Sequence, residues 1–246
     1  MDAIAWLTPF VFILAGTVKG AIGIGLPTTV IAILSQFADP RLAVALGLIP
    51  ILFSNFWQSW REGEQIATFR RYLPYALALV VSLYIFSDIA AGFEADTVTL
   101  FTGIGIGIFA ALNLWKQPPP IPARWLLPAQ VAFGCASGLM GGLTGLWAPP
   151  LVIMLIAIKA DKTEFIRATS LLLFLGALPM TAGYAMNGLM TMEVALWSLA
   201  MTVPTFLGFT TGARIRRRMA DARFQKAVLI FFLLMGLNMI RKALLG

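Results

Sequence analysis

Long apolar segments separated by short polar turns fill nearly the whole chain. Eight such segments can be delimited, at about residues 4–37, 42–60, 72–93, 97–115, 125–158, 168–186, 193–212 and 227–240. A helix of roughly 20 apolar residues is long enough to cross the hydrocarbon core of a bilayer. The pattern therefore predicts an all-α integral membrane protein.

The segments form two groups of four. Residues 1–115 are the first predicted transmembrane repeat, residues 116–124 (KQPPPIPAR) a stiff Pro-rich linker, and residues 125–246 the second repeat. The two repeats share a glycine spacing at their beginnings, in which Gly16, Gly20 and Gly23 match Gly134, Gly138 and Gly141. This spacing supports an internal duplication. The N-terminal residues lack the basic region of a signal peptide, and we expect them to belong to the first segment.

Each repeat opens with a segment in which several glycines precede a proline. The first reads GTVKGAIGIGLPTTVIAIL (Gly16–Leu34) and the second GCASGLMGGLTGLWAPPLVIML (Gly134–Leu155). Glycine weakens a helix, and proline suits the first turn of a new one. Each segment is therefore predicted to be a broken, re-entrant-like helix. Such backbone is tolerated in a membrane where protein or a polar cavity satisfies it, and in transporters this place is the substrate site.

The distribution of basic residues gives an expected orientation. If each Gly-rich segment folds back, most Lys and Arg residues of the turns lie on one side, as the preference of these residues for cytoplasmic loops requires. The two repeats are then inverted relative to each other. If each segment crosses once instead, the basic turns are divided between the two sides. The first arrangement gives the clearer asymmetry, and the second stays open.

Composition narrows the possible functions. Hydrophobic residues make up 59% and charged residues 12% of the chain, and the mean hydropathy is +0.87. The net charge of +7 comes from residues in the turns, which fits membrane topology, so no nucleic-acid partner is expected. There is no histidine and a single cysteine, Cys135. We therefore expect no metal, no cofactor, no catalytic residue and no internal disulfide.

The two breaks are candidate sites for an anion. A helix that restarts at Pro27 or at Pro149 has free N–H groups and a partial positive charge at its first turn. Two such ends meeting at mid-membrane would form one site. The candidate substrate-binding residues are Lys19, Gly20, Gly23, Gly25, Pro27, Thr28, Asn55, Gln58, Gly141, Gly142, Thr144, Gly145, Trp147 and Pro149. The alternative for the glycines is that they only allow close helix crossing.

Three polar side chains of the first repeat have two possible roles. Lys19 is the only charge deep within an apolar run there, and it either faces the anion or reaches to the membrane interface. Asn55 and Gln58 are three residues apart and share one helix face. They either line the site or bond the carbonyls that the broken helix leaves free.

These residues also carry a resemblance to a known family. The pattern G-x-x-K-G-x-x-G-x-G-x-P (Gly16 to Pro27), the S-N-x-W-Q run (Ser54 to Gln58) and G-x-x-G-G-x-x-G-x-x-x-P-P (Gly138 to Pro150) resemble the sulfite exporter, or TauE/SafE-type, family of anion permeases. The resemblance covers essentially the whole chain. It implies transport of sulfite, sulfonates or related sulfur-containing anions across the bacterial inner membrane. One departure is Ala148, where many members have another glycine.

The leading hypothesis is a secondary transporter that works by alternating access around the midplane site. The alternatives are an anion channel, a non-transporting assembly subunit and a membrane enzyme that uses a Ser137–Lys19 pair. The expected partners are a small sulfur-containing anion and membrane lipid. The direction of transport, a coupling ion (H⁺ or Na⁺) and a homo-oligomeric state stay open.

Overall fold

The structure is a computed structural model that describes residues 2–34, 37–89, 95–115 and 120–245. Its described secondary structure is entirely helical. One 3₁₀ turn (Ala123–Trp125) accompanies the helices α1 (Asp2–Ile22), α2 (Leu26–Leu34), α3 (Pro40–Glu62), α4 (Gln65–Arg71), α5 (Leu73–Ile89), α6 (Ala95–Trp115), α7 (Leu126–Thr144), α8 (Ala148–Ala157), α9 (Lys162–Met186), α10 (Met192–Arg217) and α11 (Asp221–Leu245).

Five helical stretches of the described residues are long and apolar enough to cross a membrane. They are Arg41–Glu62, Ala123–Thr144, Lys162–Met186, Met192–Arg217 and Asp221–Leu244. A sixth candidate arises if α4 and α5, which are bent by 75° at their junction, form a single span. The predicted all-α membrane protein is therefore confirmed.

Several helices extend beyond the apolar segments that predict them. The seven residues of α4 lie in a charged stretch expected to be a turn, α9 begins at Lys162, and α10 continues to Arg217. Lys, Arg and Glu are good helix formers, and their long side chains can reach water from a helix end. Hydropathy consequently gives the apolar core of a helix rather than its ends. Of the predicted linker, residues 116–119 lie outside the described part of the chain.

The chain divides into two compact units. Unit 1 comprises Met1–Gln65 and Ser170–Met219, and unit 2 comprises Ile66–Thr169 and Ala220–Gly246. One boundary falls inside α9. Each unit thus takes helices from both predicted repeats, so the units do not coincide with residues 1–115 and 125–246. The division into repeats and their inversion stay predictions.

In unit 1, α1 and α10 pack with their backbones in direct contact. A Cβ atom added at Gly16 would overlap the carbonyl oxygen of Thr205, and one at Gly20 would overlap that of Phe209. Gly208 and Gly212 of α10 approach α1 in the same way. In each helix the two glycines are four residues apart, which is the spacing of small residues at close membrane-helix crossings.

Helix α3 also belongs to unit 1 and packs against α2 and α10. Asp39 caps it by accepting a hydrogen bond from the Arg41 N–H at 2.7 Å. Pro50, inside α3, has no N–H and leaves the Leu46 carbonyl without its helical partner. The hydroxyl of Ser198, from α10, donates to this carbonyl at 2.8 Å. The defect that proline makes in α3 is thus repaired by its neighbour.

Unit 2 is built around two further close crossings, α7 with α5 and α11 with α6. At Gly134 and Gly138 of α7, a Cβ atom would lie within 3.0 Å of atoms of α5. At Gly103 of α6, a Cβ atom would lie 2.9 Å from the carbonyl oxygen of Gly236 in α11. These glycines therefore have a packing role.

Candidate functional site

The first Gly-rich segment breaks where the sequence predicts. Helix α1 ends at Ile22 and α2 begins at Leu26. Gly23 and Gly25 between them have φ angles of +83° and +100°, a region that side chains disfavour. The N–H of Gly23 closes α1 by donating to the Lys19 carbonyl at 2.7 Å. Two of the predicted site residues thus make the break itself.

Lys19 lies in the last turn of α1, immediately before the break, and its side chain is only 2% exposed. Its ammonium donates a hydrogen bond to Oδ1 of Asn55 on α3 at 2.5 Å. Asn55 is itself 2% exposed. Among the described residues, no carboxylate forms an ion pair with Lys19. The structure therefore contains a buried cation whose side-chain partner is neutral.

Gln58 lies one turn beyond Asn55 on the same face of α3 and is 1% exposed. Neither its amide nitrogen nor its amide oxygen has a hydrogen-bond partner among the described residues. A buried amide without partners costs about 1–3 kcal/mol relative to one that is hydrogen-bonded. Gln58 is thus a polar group available to a ligand.

Glu62 continues this face of α3 and pairs with a charged side chain of α10. Nη2 of Arg216, near the end of α10, lies 2.7 Å from Oε1 of Glu62, and Arg216 is buried. Arg216 follows the apolar segment at residues 193–212 and is not among the predicted site residues. The sequence places Glu62 on the face of Asn55, which it follows by seven residues or about two helical turns, but it does not indicate that Arg216 pairs with it.

The second break lies in unit 2. Helix α7 ends at Thr144, Gly145 adopts a left-handed conformation with φ of 73°, and α8 begins at Ala148 with Pro149 as its next residue. The N–H of Gly145 donates to the Gly141 carbonyl at 2.9 Å. This break has the same construction as the first, a glycine in the left-handed region followed by a helix with proline in its first turn.

Two side chains of the second break differ in whether their hydrogen-bond donor already has a partner. The Thr144 hydroxyl donates to the Met140 carbonyl at 2.8 Å, so its single proton is already used. Trp147 is buried, and its indole N–H has no partner among the described residues. Gly141 lies against Trp147, because a Cβ atom added at Gly141 would be 3.0 Å from the Cβ atom of Trp147. The indole N–H of Trp147 is accordingly a side-chain donor that a ligand at this break could use.

The remaining predicted residues are distributed between the two units. Pro27 and Thr28 are in the first turn of α2, and Thr28 is half-buried. Gly20 faces the backbone of α10, which accounts for its lack of a side chain. Gly142, in α7, is half-buried. Ser137, the proposed partner of Lys19 in an enzyme, shares a 2.5 Å hydrogen bond with the Tyr75 hydroxyl.

Unit 1 therefore brings together Lys19, Asn55 and Gln58 beside a broken helix. Unit 2 separately brings together Gly141, Thr144, Gly145, Trp147 and Pro149. That the two groups form one site stays a prediction. Within the described residues, no group of three or more His, Cys, Asp or Glu side chains could hold a metal ion.

Comparison with protein families gives a match over nearly the whole chain. The model of the family described as sulfite exporter TauE/SafE matches residues 9–239. The chain belongs to this family. It is thus a multi-pass membrane protein of an anion exporter family, which confirms the resemblance seen in the sequence. Neither the curated proteins nor the solved structures that were compared give a match.

Proposed function

We propose that this protein carries sulfite or a related sulfur-containing anion, such as an organosulfonate, across the bacterial inner membrane. The anion binds in unit 1, at the side chains of Lys19, Asn55 and Gln58. The family supports the substrate class. The chemistry of these three side chains supports the position.

The observation that carries the proposal is the buried ammonium of Lys19, which forms an ion pair with no carboxylate of the described residues. Transferring a charge from water into a protein interior inside a membrane is costly unless an opposite charge compensates it. The only side chain that bonds to Lys19 among the described residues is the neutral Asn55. A bound anion would supply the missing negative charge.

Gln58 supports the same conclusion independently. Its amide group can donate two hydrogen bonds, and neither proton has an acceptor among the described residues. The oxygen atoms of sulfite or of a sulfonate accept hydrogen bonds from several directions. Gln58 and Lys19 would then satisfy different oxygens of one anion.

The first turn of α2 adds a third contribution. This helix has nine residues and starts directly after the break. Its first N–H groups lack partners within the helix, and its dipole places partial positive charge at this end. The hydroxyl of Thr28 lies in the same turn. Transporters use helix ends of this kind to hold anionic groups.

We propose alternating access as the mechanism, because broken helices at the substrate are typical of such carriers.

Anion binding by the purified protein in detergent tests the proposal. Thermal shift and calorimetry are carried out with sulfite, sulfate, thiosulfate, several organosulfonates, acetate and chloride. We expect one sulfur-containing anion to stabilise the wild type and to lose this effect in Lys19→Met. The control is Lys226→Met, which removes an exposed lysine of α11 and should bind as the wild type does. Absence of binding by every sulfur-containing anion would overturn the proposal.

Transport by proteoliposomes tests the mechanism. A carrier gives saturable flux and counterflow, in which unlabelled anion on one side accelerates the entry of labelled anion from the other. Single-channel currents without counterflow would instead establish a channel.

A further inference from the structure

We propose that Arg216 is a second cationic ligand of the transported anion, and that Glu62 limits the affinity by competing for Arg216. This inference rests on the proposed function and deepens it, since it extends the site from Lys19 along α3. It also specifies the substrate further, because a site with two cations favours a doubly charged anion over a singly charged one.

The geometry of α3 places the required groups in a row. Asn55, Gln58 and Glu62 are separated by three and four residues, so they lie on one face of the helix. The row from Asn55 to Glu62 is about 10 Å long, at roughly 1.5 Å per residue. Lys19 is bonded to one end of the row and Arg216 to the other. Gln58, whose amide has no partner within the described part of the chain, lies between these two ends.

Arg216 has a donor to spare. Its Nη2 atom bonds to Glu62, whereas its Nη1 atom is buried and has no acceptor among the described residues. A guanidinium group carries five N–H donors in a fixed plane, so one edge can hold Glu62 while another contacts a second acceptor. Buried guanidinium donors are rarely left unpaired, because desolvation without a hydrogen bond is costly. Nη1 is the atom that would contact the anion.

Electrostatics point to the same place. Lys19 and Arg216 are both buried cations, and each bonds to a side chain on the same face of α3. Like charges repel strongly in a medium of low dielectric constant. The Glu62 carboxylate offsets one of the two positive charges. A doubly charged anion between the cations would offset both, and Glu62 would then weaken its binding by repulsion.

The competing explanation is that Arg216 and Glu62 form an ion pair that only ties α10 to α3. The two explanations make opposite predictions for Glu62. If the pair is purely structural, removal of either partner lowers the stability and leaves the anion affinity unchanged. If Arg216 binds the anion, Arg216→Gln weakens binding whereas Glu62→Gln strengthens it.

The test measures anion affinity by calorimetry on purified full-length variants, with sulfite and sulfate as probes and methanesulfonate as the singly charged comparison. We expect Arg216→Gln to weaken sulfite binding about 10- to 100-fold, the range for the loss of a hydrogen bond to a charged group. We expect Glu62→Gln to tighten it about 3- to 10-fold. The loss in Arg216→Gln should be larger for sulfate than for methanesulfonate. Arg217→Gln, at the exposed neighbouring position, should bind as the wild type does.

Equal effects of Arg216→Gln and Glu62→Gln on affinity, or no effect of either, would overturn the inference. If Arg216→Gln does not fold, Arg216→Lys and Glu62→Gln provide the same test. Arg216→Lys keeps the positive charge at residue 216, and Glu62→Gln keeps the arginine itself. A loss of binding in Lys19→Met together with wild-type affinity in Arg216→Gln would overturn the role of Arg216 and leave the proposed function standing. No binding by the wild type would overturn both.

Discussion

The ammonium of Lys19 and the Oδ1 atom of Asn55 form a 2.5 Å hydrogen bond between two buried side chains on different helices. The bond fixes the position of the charge but does not neutralise it. An amide oxygen carries only a partial negative charge, so the ammonium keeps most of its ability to attract an anion. This is the arrangement expected of a reversible anion site, in which a permanent carboxylate would compete with the substrate.

The first prediction follows from this arrangement. Asn55→Asp has nearly the same shape but gives Lys19 a permanent counter-ion. We expect anion affinity to fall by at least about 10-fold, because the new carboxylate replaces the substrate as the negative partner. The melting temperature in detergent should not fall, since a buried charge becomes paired.

Asn238→Asp is the matched control, because Asn238 also bonds a cation, Arg241, but lies on α11 in unit 2. Calorimetry should give wild-type affinity for this variant. Unchanged affinity in Asn55→Asp would contradict the assignment of Lys19 to the anion.

The second prediction concerns Gln58 and separates function from stability. Gln58→Leu removes a buried amide that has no hydrogen-bond partner among the residues that the structure describes, so the melting temperature should stay constant or rise. Anion affinity should fall about 3- to 30-fold if the amide donates to the substrate.

Gln130→Leu provides the comparison. Gln130 is also buried, but its amide nitrogen donates to the Arg71 carbonyl at 3.1 Å. Its replacement should lower stability and leave affinity unchanged. If Gln58→Leu instead lowers the melting temperature without changing affinity, its amide is structural.

The third prediction tests the close crossing of α1 and α10. Gly20→Ala places a methyl group where it would overlap the backbone of α10 at Phe209 and Ala213. We expect a loss of stability of about 1–3 kcal/mol, the usual cost of overpacking, because backbone cannot give way as a flexible side chain can.

Gly183→Ala is the control within the same unit. A Cβ atom at Gly183, in α9, would have nothing within 4 Å. Alanine should therefore stabilise the helix by up to about 1 kcal/mol. Both effects are measured as melting temperatures in the same detergent, and equal tolerance of both substitutions would refute the crossing.

The glycines also indicate how far the sequence could predict this molecule. Their density correctly predicts a break at Gly23 and Gly25. It does not reveal that Gly20, only three residues earlier, serves helix packing, because the partner glycines Gly208 and Gly212 lie almost 200 residues away in the chain. The density of glycines along the chain does not show which distant helix a given helix face will contact.

The polar residues likewise include some that the sequence indicates and one that it does not. Lys19 and Asn55 stand out because polar residues of their kinds are rare inside an apolar run. In the structure the two side chains are hydrogen-bonded to each other. Arg216 did not stand out, because it lies among other basic residues between the last two apolar segments. The five others are all exposed: Arg214, Arg217, Arg218, Arg223 and Lys226. The burial of Arg216 depends on the length of α10, which continues beyond the apolar segment. The end of a helix is the feature that hydropathy defines least well.

The fourth prediction concerns the repair of α3 at Pro50. Ser198→Ala removes the hydroxyl that satisfies the Leu46 carbonyl, and the loss of such a buried hydrogen bond should cost about 1–3 kcal/mol. In a Pro50→Ala background, residue 50 regains an N–H that can bond this carbonyl within α3. Ser198→Ala should then cost markedly less, so the two substitutions are non-additive.

Melting temperatures of the wild type, the two single variants and the double variant measure the coupling. Additive effects would mean that Ser198 stabilises α3 independently of Pro50, through the hydrogen bond that its Oγ atom accepts from the Ile49 N–H at 3.3 Å.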